Sequence, residues 1–210
     1  PLAANPDLQK ATAKEIRRVR RHYQLPKHYV LYVGDINYNK NIPQLIKAVK
    51  YFPRYLKLVC VGNNFKKQDI DEWQWIETQL AMSDVRQKVK FVTDLPVSAT
   101  DDLAAIYTGA VCYVQPSLYE GFGLPILEAM QCMTPVVSTE NSSLVEVGGQ
   151  EVVYVEPDAK SMAAGVEKVW TWNETQRNEA VRSAYIWSQE FSWEQTAQKT
   201  VEVYQKVLSQ

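Results

Sequence analysis

Tyr29-Val30-Leu31-Tyr32-Val33-Gly34 is an unbroken run of aromatic and aliphatic residues that ends on a glycine, and a helix-like pattern follows over about 42–52. A strand with no polar alternation is buried on both faces, as in a parallel sheet covered by helices. The same kind of run recurs at Leu56 to Val61, Val89 to Val92, Val111-Cys112-Tyr113-Val114, Pro135-Val136-Val137 and Val152-Val153-Tyr154-Val155. Between them helical patterns fall at about 69–83, 100–108, 123–133 and 142–147, with an opening helix near 7–23 and three closing ones near 158–172, 174–190 and 192–208. Short strands alternating with helices make βαβ units.

The expected fold is therefore α/β: a single Rossmann-like domain over residues 1–210, with a parallel six-stranded sheet and helices on both faces. Nothing rich in Gly, Ser or Pro marks a linker, and there is no internal repeat. With 46% hydrophobic residues and a net charge of −1, the chain can bury a sizeable core and lacks the basic excess of a phosphate-backbone binder, so nucleic acid is not an expected partner. No apolar run approaches a membrane span and the N-terminus lacks a signal-peptide layout, which predicts a soluble, cytoplasmic protein. Cys60, Cys112 and Cys132 sit in apolar runs without CxxC spacing and read as reduced core residues. The only histidines, His22 and His28, lie in the first 30 residues, which disfavours a zinc site or a Ser-His-Asp hydrolase. Arg17, Arg18, Arg20 and Arg21 read as solvated charges on the opening helix.

The glycines are few, 8 in 210 residues, and half of them fall at the carboxyl ends of strands: Gly34 follows the first strand, Gly62 the second, and Gly121 and Gly123 lie in the loop after the fourth. Ligands of open α/β sheets bind beyond the carboxyl ends of the strands, where the strand order reverses. In the order 3-2-1-4-5-6 this sets the loop Gly34 to Asn41 opposite the loop Pro116 to Gly123. Each loop runs into a helix N-terminus, whose free N–H groups and dipole favour an anion such as phosphate. Lys40 can add a full charge there, although by position alone it reads equally as a surface lysine. There is no GxxxxGK[ST] and no GxGxxG, which argues against a P-loop and the usual dinucleotide fingerprint. Glu128 is the only charge in a helix apolar nearly all round, so it should face a basic residue or a polar ligand such as sugar hydroxyls. Glu120 either stays in the cleft or caps the helix behind it. Asp69-Ile70-Asp71 spells a metal-transferase D-x-D but opens a helix, where capping and dipole pairing account for it; no metal site is expected.

Leu118-Tyr119-Glu120-Gly121-Phe122-Gly123-Leu124-Pro125-Ile126-Leu127-Glu128-Ala129-Met130 closely resembles the E-x7-E signature of glycosyltransferase family 4, retaining enzymes of the GT-B fold. The resemblance continues through Thr134 to Ser138, Ser142 to Val147 and Val155 to Asp158, and at the front through Leu31 to Gly34 and Lys40-Asn41. It implies the donor-binding C-terminal half of such an enzyme, with a GDP- or UDP-linked sugar as donor substrate and no cofactor beyond it. On that resemblance Lys40 neutralises the diphosphate and Glu120 contacts the transferred sugar. Glu128 binds ribose hydroxyls, and Gly121, Phe122, Gly123 and Leu124 form the turn that meets phosphates and sugar. Gly34 stands beside the donor, and Asn63, Thr93, Asp94 and Leu95 line the nucleobase pocket by position. One departure stands out: many members follow the first strand with Gly-Arg, whereas Asp35 follows Gly34 here, which leaves the work to Lys40 and the helix dipole or to a further cation such as Lys66 or Lys67.

The implied activity is transfer of a mannose- or glucose-type hexose to a glycan or lipid-linked acceptor, as in polysaccharide synthesis. Pro1 to Pro6 reads as the family's interdomain segment, so the acceptor domain or subunit is expected to be missing from this chain, and any membrane association to run through that half. The rival readings are a non-catalytic nucleotide-sugar module, the donor subunit of a split transferase, and a sugar-nucleotide epimerase; the last needs a histidine near the site.

Overall fold

The computed structural model describes residues 2–209, so Pro1 of the segment read as interdomain lies outside the described residues. Six strands form one parallel sheet: β1 Tyr29–Val33, β2 Lys57–Val61, β3 Val89–Val92, β4 Cys112–Gln115, β5 Val136–Thr139 and β6 Val153–Val155. Their order is β3-β2-β1-β4-β5-β6, the expected reversal between β1 and β4. Tyr32 pairs with Cys60 and Cys60 with Phe91, while Val30 pairs with Cys112 on the other side.

Nine helices are present among the described residues: α1 Ala13–His22, α2 Ile42–Ala48, α3 Asp71–Ser83, α4 Thr100–Thr108, α5 Leu124–Gln131, α6 Ser143–Gly148, α7 Ala159–Trp170, α8 Glu174–Ser188 and α9 Trp193–Leu208. The period-2 geometry of β1 sends Tyr29 and Leu31 into one core with Val19, Ile106 and Met130, and Val30 and Tyr32 into the opposite core with Leu45, Ile76 and Val166. Both faces of the sheet are thus sealed, which is why its strands read as continuous apolar runs. All three cysteines are buried. Among the described residues no helix is long and apolar enough to cross a membrane.

Two boundaries differ from expectation. The opening helix starts at Ala13 and not near residue 7, because Asn5 ties the chain into a turn, accepting from the Asp7 and Leu8 amides at 3.0 Å each. Thr12 and Glu15 then close a capping box that fixes the start. Arg17, Arg18 and Arg21 on this helix are exposed, as read, whereas Arg20 is half-buried with its Nε enclosed, and Arg18 pairs with Asp102 on α4. The second helix tightens into a 3-10 turn at Val49–Tyr51, then stops where Phe52 turns extended ahead of Pro53. At the chain's end, α9 buries none of its residues, and Trp193, Val201, Tyr204 and Leu208 are exposed.

The sheet's carboxyl edge positions the site. Hydrogen bonding continues one residue past the strands, with the Gly34 amide donating to Val61 and the Gly62 amide to Val92, each at 3.0 Å. The two loops that then diverge from β1 and β4 define the switch-point cleft.

Candidate functional site

Asparagines join the loop after β1 to the loop after β4. The Asn39 side chain donates to the Tyr119 carbonyl at 3.0 Å, and the Asn39 carbonyl accepts from the Leu118 amide at 2.7 Å. Asn41 adopts a left-handed conformation (φ 54°), which asparagine tolerates better than most residues, between a 3-10 turn at Tyr38–Lys40 and α2. Its side-chain amide donates to the carbonyls of Pro116 and Pro157 at 3.1 and 3.0 Å. Held from both sides, Lys40 points at the other loop: its ammonium lies 2.6 Å from Glu120 Oε1, and the two side chains are only 21% and 11% exposed. The plain reading of Lys40 as a surface lysine therefore fails.

Glu120 does not cap α5. That helix begins behind Gly123, whose φ of 102° suits glycine, and it carries no side-chain cap; α2 has none either. Both N-termini consequently keep first-turn N–H groups uncapped toward the loops. Glu120 is pinned instead through its backbone, donating to Ser142 Oγ at 3.1 Å while its carbonyl accepts from the Ser143 hydroxyl at 2.9 Å. A groove of about 760 Å³ opens there, lined by Tyr119, Glu120, Gly121, Phe122, Ser142 and Ser143 among others. Leu124 is the first residue of α5 behind this turn.

A second cleft, of about 470 Å³, lies at the ends of β1, β2 and β3, and Gly34, Asp35, Asn63, Leu95, Val97 and Glu128 are among its lining residues. Gly34, Asn63, Leu95 and Glu128 thus share one cavity, while Thr93 and Asp94 do not line it; the chain turns after β3 so that Leu95 and Pro96 face the opening. Glu128 was expected to face a base or a ligand. Its partner in the structure is a neutral hydroxyl: Tyr107, fully buried on α4, donates to Glu128 Oε2 at 2.8 Å. Burial pushes the Glu128 carboxyl above its usual range, and the Tyr107 hydrogen bond pulls back only part of the way.

The sign of that shift fixes a pH dependence. A carboxyl that holds its proton more tightly when folded costs stability as pH rises from the ordinary value near 4.5 through the raised one. Glu128→Gln keeps an acceptor for Tyr107 and removes the ionisation. It is expected to melt close to wild type below pH 4.5 and above wild type at neutral pH, followed by circular dichroism melts across pH; a variant less stable than wild type at pH 7 contradicts the burial argument.

Asp35, at the position of the family's arginine, clips the two strand-end loops together. Its Oδ1 accepts from Asn64 Nδ2 at 2.6 Å and from the Ile36 amide at 2.8 Å. Lys66 and Lys67 are exposed, and Lys67 lines a separate groove along α3, so neither stands in at the switch-point clefts. At the D-x-D stretch, α3 starts at Asp71 behind Ile70 with no side-chain cap; only the dipole half of the expected role remains, through Asp71 and Glu72 in the first turn. His28 precedes β1 and packs edge-on against Trp170, at the opposite end of the sheet from the clefts.

Sequence reading gave no role to five residues that the structure places in or under the site: Asn39, Asn41 and Ser117, within the two facing loops, and Tyr107 and Gln115 outside them. Gln115 carried a usable signal, a polar side chain closing an otherwise apolar strand. Tyr107 carried none, since a tyrosine on a helix face reads as core.

A parallel 3-2-1-4-5-6 sheet sealed on both faces, with clefts along its carboxyl edge, is a Rossmann-like architecture, the kind that each half of a GT-B glycosyltransferase has. The chain belongs to the family of glycosyl transferases group 1, which residues 14–186 match. It is 32% identical over 209 residues to the O-antigen chain mannosyltransferase B of Escherichia coli, covering 97% of this chain and 52% of that protein. Among solved structures it resembles sucrose-phosphate synthase from Thermosynechococcus elongatus, with TM-score 0.82 and 27% identity over 100% of this chain and 52% of that one. It also shares the fold of Anabaena HepE, solved in complex with UDP-glucose, with TM-score 0.83 and 19% identity over 97% and 56% of the two chains. The chain spans about half the length of two curated relatives that it matches.

Proposed function

We propose that this chain is the donor-binding half of a retaining glycosyltransferase that moves a mannose- or glucose-type hexose from a GDP- or UDP-linked donor to a glycan or lipid-linked acceptor. The observation that carries the reading is the meeting of Lys40, Glu120 and the turn Gly121 to Leu124 at one sheet edge, with Glu128 in the adjoining cleft. In glycosyl transfer the bond from the anomeric carbon to the diphosphate oxygen breaks as the acceptor oxygen bonds to that carbon, and the acceptor's proton passes to the departing diphosphate. Positive charge develops on the sugar and negative charge on the diphosphate. Fixed groups aimed at those charges lower the barrier. Lys40 and the uncapped starts of α2 and α5 would take the diphosphate charge, a scheme that calls for neither a metal nor a cofactor. Glu120 would steady the sugar, and Glu128 would accept from ribose hydroxyls. Acceptor binding falls to a separate domain or subunit, so this chain alone is expected to bind donor and transfer little. A cytoplasmic location fits the three buried thiols.

Calorimetric titration of GDP- and UDP-sugars tests this. One series is expected to bind, and Glu128→Ala to weaken it by about tenfold, the scale of losing a hydrogen bond to a charged group. Absence of binding in both series, or an unchanged affinity in Glu128→Ala, overturns the assignment.

A further inference from the structure

We infer that Gln115 and Ser117 are positioning residues that hold the Glu120 carboxylate in place when Lys40 turns to the donor, an inference that rests on the donor-site reading above. Gln115 is 2% exposed at the end of β4, Ser117 is fully buried just beyond it, and Tyr113 is fully buried on the strand before them. Their hydrogen bonds run one way. The Tyr113 hydroxyl donates to Gln115 Oε1, which fixes the orientation of the amide. Gln115 Nε2 then spends its two hydrogens on Ser117 Oγ at 2.7 Å and Glu120 Oε1 at 2.8 Å. The Ser117 hydroxyl, having accepted from Gln115, donates to the same Glu120 oxygen at 2.7 Å. The Ser117 carbonyl is itself anchored by Thr139 Oγ1 at 2.5 Å and Asn141 Nδ2 at 2.7 Å.

Three donors therefore converge on Oε1: Lys40, Gln115 and Ser117. Among the described residues none donates to Oε2, the oxygen left for a sugar hydroxyl. The three donors differ in kind. Lys40 carries a full positive charge on a long aliphatic stem and is the donor that a diphosphate attracts, so its bond to Glu120 is the one exchanged when donor binds. The amide and the hydroxyl are neutral, buried and locked by their own partners, so they stay. Without them the departure of Lys40 would release the carboxylate at the step where its position matters, because productive geometry has to be held to a fraction of an ångström.

The test separates positioning from a merely structural role. Gln115→Met keeps length and burial and removes both donors. Calorimetry on this chain would compare UDP with UDP-glucose and GDP with GDP-mannose. Affinity for the bare diphosphate is expected to stay within about twofold of wild type, while the sugar conjugate loses about tenfold, the scale of a hydrogen bond to a carboxylate. In a Glu120→Gln background the same substitution is expected to cost nothing further, since a residue that acts through Glu120 has nothing left to position. An equal loss for diphosphate and conjugate, no loss for either, or costs that add in the double variant overturns the inference. Should Gln115→Met fail to fold, Ser117→Ala removes one donor from the same oxygen and is judged by the same outcomes. A wild-type chain that binds none of the four ligands overturns the donor-site reading itself and takes this inference with it.

Discussion

Lys40→Met is expected to weaken binding of the nucleoside diphosphate by about a hundredfold while the chain stays folded. The prediction decides between two roles that the geometry allows for one contact. Lys40 lies 2.6 Å from Glu120 Oε1, and as a purely structural ion pair it would serve only to offset a partly buried carboxylate. Removing it would then lower stability, Glu120→Gln would restore that stability, and diphosphate affinity would not move. If Lys40 is the phosphate cation, the affinity loss persists in the Lys40→Met, Glu120→Gln double variant even though no charge is left stranded. A hundredfold corresponds to about 2.7 kcal/mol, within the range of a hydrogen bond between charged groups. Restored diphosphate affinity in the double variant would refute the phosphate role. Gln115 and Ser117 keep the affinity loss measurable, because Glu120 retains two neutral donors when Lys40 is gone.

Gly62→Ala is expected to destabilise the chain by about 3 kcal/mol, the scale of steric overpacking at a site with no room to relax. A Cβ at Gly62 would sit 2.1 Å from the backbone oxygen of Gly34 and 3.2 Å from a ring carbon of Phe65. The oxygen belongs to the neighbouring strand's exit loop, so relief requires the ends of β1 and β2 to part at the rim of the cleft lined by Gly34 and Gly62. Gly121→Ala is the matched comparison. Nothing lies within 4 Å of a Cβ there, so its effect on urea unfolding is expected to stay under about 0.5 kcal/mol. Equal unfolding midpoints for the two alanine variants would refute the close-approach argument.

Both glycines were visible in the sequence as falling beyond the carboxyl ends of strands, but their difference was not, because it depends on how near another strand's backbone comes. The same division runs through the rest of the molecule. Strand order and the facing of the two loops were legible because fully buried strands write themselves as apolar runs, and the parallel topology leaves one switch point. That argument also set the loop of Lys40 opposite the loop of Glu120, and the structure adds the contact between them, 80 positions apart in sequence. The start of α1 was within reach, since Thr12 and Glu15 spell a capping box, yet the helix was expected from near residue 7, where Asn5 instead ties a turn. The partner of Glu128 was out of reach: a carboxylate in an apolar helix demands something polar, and nothing local says that Tyr107 reaches it from another helix. Thr93 and Asp94 were placed in the cleft by their position after a strand, whereas the turn they begin presents Leu95 and Pro96.

The central place of β1 in the sheet also governs how the chain assembles. Residues up to Val92 complete a β3-β2-β1 half in which one edge of β1 has no partner until Cys112–Gln115 arrives. During synthesis that edge is an open row of backbone donors and acceptors flanked by apolar side chains, the kind of surface that recruits another chain. The strand that ends the exposure is β4, the same segment whose last residue reaches Glu120. Covering the open side of β1 and delivering the loop that carries Glu120 therefore fall to one strand, and a chain truncated before β4 would lack the Glu120 carboxylate and the second partner of β1 alike.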